Sequence, residues 1–151
     1  MGADKPLDEK SNELLQRVNI ALFIQHPVLD PAEITARLGI EEHFSHKGGE
    51  RIVTPTGTVM PGRYHDTRWR HSIRHKFADQ LFAKQVTEFV QGLMPQKTFL
   101  HEIRETGGSE SVIIQFLGDR YHGDNVPFET LCILNELQLD LGIEVYNVQQ
   151  N

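Results

Sequence analysis

Asp66-Thr-Arg-Trp-Arg-His-Ser-Ile-Arg74 alternates cationic with aromatic or apolar side chains at a period of two, the signature of a strand whose two faces meet different surroundings. Trp69, His71 and Ile73 fall on one side and Arg68, Arg70 and Arg74 on the other. Trp69 is the only tryptophan, and a ring of that size anchors a core or a binding site. One face of this strand is therefore read as a core anchor and the other as a cationic stripe.

Working outward toward the N-terminus, residues 40–62 carry no periodicity. Arg51-Ile-Val53 and Thr58-Val-Met60 are placed to pair as a small hairpin across Thr54-Pro-Thr-Gly57, because Pro and Gly punctuate the segment where a turn needs them. Before it, Asp30-Pro-Ala-Glu33 combines an N-cap acceptor, a proline at the first helical position and a glutamate that closes a capping box. Ile34 and Leu38 then share one face and Gly39 ends the helix, since glycine adopts the left-handed conformation at low cost. Upstream, Arg17 to Gln25 is nearly continuous in β-branched and aromatic residues and reads as a central strand covered on both faces. Residues 1–16 read as a flexible arm and 17–151 as a single α+β domain.

Downstream, the apolar positions from Phe77 to Leu93 recur at three- and four-residue spacings, which predicts a long amphipathic helix stopped by Pro95. Thr98–Glu105 and Ser111–Leu117 flank Thr106-Gly-Gly-Ser109 and read as a hairpin. Pro127 opens a helix to about Gln138 that is expected to bury Phe128, Leu131, Cys132 and Leu134 or the neighbours of Asn135, and Gly142–Val148 alternates as a terminal strand. The resulting order is β-α-(hairpin)-β-α-β-β-α-β. It predicts an α+β two-layer sandwich: a mixed or antiparallel sheet of about five strands with about three helices.

Charge is segregated along the chain. From Arg63 to Lys76 five cations meet one anion, Asp66, giving +4, while the whole chain is -6 and the remainder therefore -10. An acidic total argues against a general nucleic-acid platform, because phosphate binding is driven by cations that release counterions. Cys132 is the only cysteine, so an intrachain disulfide and a Cys-rich metal site are excluded. With no membrane-length apolar run, no signal-peptide core and no myristoylation motif, a cytoplasmic protein is expected.

Catalytic and cofactor motifs are absent. Gly48-Gly49 and Gly107-Gly108 are turns rather than phosphate-binding loops, there is no Gly-x-Ser-x-Gly elbow, and Cys132 is expected to be buried and inert. No cofactor is expected. His43-x-x-His46 is the best metal-ligand pair among eight histidines, but zinc needs further ligands at a recognisable spacing. The cationic stripe is the remaining feature. Arg63, Arg68, Trp69, Arg70 and Arg74 are the candidate binding residues, since guanidinium groups present planar donors to carboxylates and phosphates. The competing expectation is that these arginines pair with the chain's own Glu41, Glu42, Glu50 or Glu144.

Leu29-Asp-Pro-Ala-Glu-Ile-Thr35, Leu38-Gly-Ile-Glu41, Lys47-Gly-Gly49, the Trp69 strand and Leu141-Gly-Ile-Glu-Val-Tyr146 together resemble domain of unknown function family 4279 from about Val18 onward. That resemblance implies an α+β bacterial cytosolic domain and brings no established catalytic residues. The function expected is a small binding or interaction module, immunity-type or regulatory, for an anionic ligand or an acidic partner protein. Two alternatives are a metal-assisted hydrolase built on His43 and His46, and a single-stranded nucleic-acid binder using Trp69 and the arginines. An exposed C-terminal edge strand is also a candidate surface for pairing two copies.

Overall fold

The computed structural model describes residues 17–76 and 81–146. Strand β1 (Arg17–His26) is followed by helix α1 (Pro31–Leu38), β2 (Phe44–His46), β3 (Arg51–Val53), β4 (Val59–Arg63) and β5 (Thr67–Lys76). Helix α2 (Phe82–Leu93) passes through a 3-10 turn (Met94–Gln96) into α3 (Lys97–Glu105), and β6 (Ser109–Leu117), α4 (Phe128–Glu136) and β7 (Asp140–Tyr146) complete the chain. A five-stranded sheet of order β2-β5-β1-β6-β7 forms the frame, with β3 and β4 as a separate hairpin. All neighbours in the main sheet are antiparallel except β6 and β7, which are parallel. The fold is thus the α+β sandwich with a mixed sheet that the sequence predicts.

Register decides which side of the sheet is covered. Ile24 lies opposite Trp69 and Glu110, Leu22 opposite His71 and Val112, and Ile20 opposite Ile73 and Ile114. These share one face, and Ile34, Val86, Val90, Leu100, Ile103, Leu134 and Leu137 from all four helices pack onto it as one core. Trp69 is fully buried there, and its indole Nε1 donates to Thr35 Oγ1 of α1 at 2.9 Å. The tryptophan thus locks α1 to the sheet through both area and a satisfied donor. The Asp30 and Gly39 caps of α1 are those expected, with Asp30 Oδ1 accepting from Ala32 N at 2.9 Å and Gly39 at φ 68°, whereas among the described residues no hydrogen bond of the Glu33 side chain closes the capping box.

Three expectations are corrected. Residues Lys97–Glu105 form α3 instead of the first arm of a hairpin. Phe99, Leu100 and Ile103 are its buried residues, a one- and four-residue spacing that a helix gathers on one side and a strand splits; Pro95, in the short turn before it, lacks the N–H that an interior position would need. Helix α4 buries Leu134 as expected and also Thr130, while Phe128 is 76% and Leu131 46% exposed and Cys132 lies on the surface. Leu131-Cys-Ile-Leu134 presents apolar side chains in every direction, so its pattern sets no rotational phase. The phase comes from neighbours, including the 2.7 Å hydrogen bond between the Thr130 and Thr87 hydroxyls. Finally, the helix expected from Phe77 starts at Phe82, with Leu81 extended before it. β1 is central and buries side chains on both faces, as expected: Ile20, Leu22 and Ile24 toward the helices, Asn19 and Ala21 away from them. The N-terminal arm, residues 77–80 and the strand end expected at 147–148 lie outside the described residues.

Candidate functional site

The second face of the sheet carries the arginine stripe. Arg68, Arg70 and Arg74 alternate with Trp69 and Ile73 along β5 and emerge opposite the helices. Cross-strand rows extend this pattern over the sheet: Arg70 lies beside Phe23 and then Ser111, and Arg74 beside Asn19, then Gln115, then Glu144. Cations therefore line the β5 side and a carboxylate the β7 side. In the middle, Ala21 is fully buried and Asn19 and Gln115 are nearly so.

Hydrogen bonds hold the acidic side of this face. Gln115 Nε2 donates to Glu144 at 2.6 Å, the Tyr146 hydroxyl donates to the same carboxylate at 3.0 Å, and Asn19 Nδ2 donates to Gln115 at 3.4 Å. Glu144, by accepting from the Tyr146 hydroxyl, raises that phenol above its ordinary pKa, while the positive charge of Arg70 acts in the opposite direction. Asn19 Oδ1 and Arg17 Nε are buried without a hydrogen-bond partner among the described residues.

The arginines are not consumed by the acids that the sequence offered. Arg68 Nε pairs with Asp66 at 3.2 Å, two residues away, and Arg70 Nε donates to Ser72 Oγ at 3.3 Å. Among the described residues, neither Arg70 nor Arg74 has a carboxylate within ion-pair distance, and Glu41, Glu42, Glu50 and Glu144 bridge to none of the three. The Arg68 pair is solvent-exposed and so contributes at most about 1 kcal/mol.

Two candidate residues stand apart from the stripe. Arg63 is on β4, where its Nη1 donates to the Gly49 carbonyl at 2.8 Å, so it belongs to the separate hairpin. Trp69 faces the core and is 0% exposed, so its indole offers no surface on which a base could stack. The histidine pair is divided by the sheet as well. His46 shares a face with Arg68, stacks on Tyr64 at 3.8 Å and lies 3.8 Å from Asp66. His43 stacks on His71 at 4.9 Å on the helix side and accepts from Ser72 N at 2.9 Å. Among the described residues no group of three or more His, Cys, Asp or Glu is placed to hold a metal ion.

One feature escaped the residue patterns: a cleft of about 390 Å³ at the end of the sheet where the stripe begins, lined by Gln25, His26, Pro27, His65, Asp66, Gly107 and Ser109. Arg68, Gln25 and Ser109 occupy one cross-strand row, so the cleft adjoins the cationic side. His26 forms its wall. Nδ1 of His26 accepts from Val28 N and Leu29 N at 3.1 and 2.9 Å, leaving Nε2–H to donate to Thr106 Oγ1 at 2.8 Å. Burial lowers its pKa, consistent with a neutral ring. The only sequence signal for this cleft was the Gly107-Gly108 turn. Gly108 is required there because a Cβ would lie 2.7 Å from the Gln25 carbonyl oxygen.

On the helix side, Glu110 of β6 is fully buried and neither carboxylate oxygen has a hydrogen-bond partner among the described residues. Burial pushes its pKa up to about 8; Arg104 opposes that rise and Asp140 adds to it. Among the described residues, no helix is long and apolar enough to cross a membrane.

No curated protein and no solved structure matches this chain. The family model described as "Domain of unknown function (DUF4279)" matches residues 14–148, nearly the whole length. The chain that carries this arginine-faced mixed sheet belongs to the DUF4279 family.

Proposed function

We propose that this protein is a small bacterial cytosolic binding module whose arginine-bearing sheet face, free of helices among the described residues, takes an acidic segment of a partner protein. The observation that carries the reading is the set of three arginines emerging together opposite the buried Trp69, two of them without an acidic partner among the described residues. From Arg68 to Arg74 the stripe runs about 20 Å at the usual rise per residue. A compact anion meets one or two such groups, whereas an extended acidic segment meets all three, and guanidinium forks reward carboxylates with paired hydrogen bonds. The Glu144 carboxylate tethered at the β7 side favours a bound polyanion that stays over β5 and β1. An immunity-type or regulatory role fits a module of this kind.

The test is titration of a fluorescein-labelled oligoglutamate peptide, followed by anisotropy at low and moderate salt. Binding that weakens with salt and is lost in Arg68→Glu/Arg70→Glu/Arg74→Glu is expected, with the variant's unfolding midpoint unchanged because all three groups sit on the outer face. Affinity equal in the variant and the parent protein refutes the reading. Binding of inorganic phosphate or citrate at the same arginines, without the peptide, identifies a small-anion site instead.

A further inference from the structure

We infer that two copies of this chain associate through the outer edge of β7, antiparallel about a two-fold axis at Ile143, so that two five-stranded sheets join into one. The sheet has two edges. One, β2, is only three residues long, and the stacking of His46 on Tyr64 crowds it. The other, β7, runs for seven residues, and among the described residues no strand pairs with its outer side. Edge strands of monomeric proteins are guarded by charged side chains, lysine above all, or by proline, bulges or short length. β7 contains no lysine, proline or left-handed residue, and its two charges, Asp140 and Glu144, lie on the face away from the helices.

Its side chains suit a partner. On the helix side Leu141, Ile143 and Val145 are 37%, 65% and 71% exposed, although their strand neighbours on β6, Val112 and Ile114, are buried. The helix layer covers β7 only in part. The preceding helix α4 packs against this strand, and its Phe128, Leu131 and Cys132 are exposed too. Monomers rarely leave apolar surface of several hundred Å² uncovered.

Backbone direction, charge and the length of strand paired favour one register, and that register is self-complementary, which commits the occupant to a second copy. The Tyr146 carbonyl accepts from Gly118 N at 3.2 Å across the β6 side. A strand residue points its N–H and C=O the same way and alternates with its neighbours. Residues 140, 142, 144 and 146 therefore serve β6, and residues 141, 143 and 145 present free groups outward. Antiparallel self-pairing must then match odd residues with odd ones. Centring on Glu144 places Glu144 against its own symmetry mate, and centring on Gly142 places it against Asp140; both oppose like charges, which destabilises a strand pair. Centring on Ile143 places Glu144 against Gly142, Leu141 against Val145 and Asp140 against Tyr146. Of the three registers that pair five or more residues of β7, only the one centred on Ile143 keeps the acids apart, and it pairs the strand over its whole length about a two-fold axis, as an isologous contact requires. Asp140 is further offset by Arg104 at 3.8 Å.

Analytical ultracentrifugation of the full chain tests this. A species of twice 17.3 kDa that Ile143→Lys returns to single mass, with circular dichroism unchanged, is expected. In a Cys132→Ser background, Ile143→Cys should cross-link on mild oxidation, because a hydrogen-bonded antiparallel pair holds its Cα atoms about 5.5 Å apart, within disulfide reach. A single mass at every concentration up to the solubility limit overturns the proposal and leaves the edge to a strand of another protein. A dimer that survives Ile143→Lys, or one that cross-links through Gly142→Cys and not through Ile143→Cys, overturns it equally.

Discussion

Replacing Glu110 by glutamine should convert a pH-dependent fold into one far less sensitive to alkali. The carboxyl is fully buried and unpartnered, with its pKa raised by burial from an ordinary 4.5 to about 8. An acid whose folded pKa is raised stays protonated in the native state while the unfolded chain has already released its proton. Its contribution is therefore intact below about pH 4.5 and is lost as pH rises toward 8. The gap between those values corresponds to about 5 kcal/mol at about 1.4 kcal/mol per pH unit, of which about 3 is already lost at pH 7. Glutamine keeps the volume and cannot ionise. Urea unfolding of the parent protein and Glu110→Gln between pH 4 and 9 should give nearly equal stabilities at the acid end. Their difference should widen by about 1 kcal/mol or more per pH unit through neutrality, the variant being the more stable. Two parallel profiles would refute the reasoning, because they would mean that Glu110 is ionised in the native state or solvated by it.

Trp69→Phe loses both ring volume in the core and the donor to Thr35, and should cost about 2 to 4 kcal/mol, whereas Thr35→Val removes the hydrogen bond alone and should cost about 1; a Trp69→Phe loss below about 0.5 kcal/mol in urea unfolding would contradict its anchoring role. Gly108→Ala should be more destabilising than Gly39→Ala. At Gly108 a Cβ meets the backbone carbonyls of Gln25 at 2.7 Å and Ile103 at 2.9 Å, whereas at Gly39 the space is open and only the φ of 68° resists. Thermal melts should show a loss of about 1 to 2 kcal/mol at Gly39 and a larger one at Gly108; the reverse order would show that the turn before β6 gives way.

Much of the architecture was legible because single residues carried unambiguous local physics. Asp30, Pro31 and Gly39 define α1 at both ends, and the two-residue alternation of β5 assigns Arg68, Arg70 and Arg74 to one face and Trp69 to the other before any neighbour is known. Where the local pattern was ambiguous, packing decided. Phe99, Leu100 and Ile103 suit a strand poorly and a helix well, yet the adjacent Gly107-Gly108 turn suggests a hairpin with β6; burial of those three side chains against the sheet resolves the choice. The rotation of α4 had no local determinant, and Thr130, Leu134 and Leu137 set it by meeting the core.

The sequence alone determined that cations concentrate on one strand in an acidic chain, and that this strand has one apolar and one charged face, because side-chain alternation is a property of extended backbone. Tertiary structure alone decided what surrounds that strand. The helices gather on the tryptophan side, the arginine side stays free of helices among the described residues, and Arg63 and His43 are carried away from the stripe. Those outcomes depend on strand order and register, which arise from pairings between residues up to about a hundred positions apart and so lie beyond the reach of any local pattern.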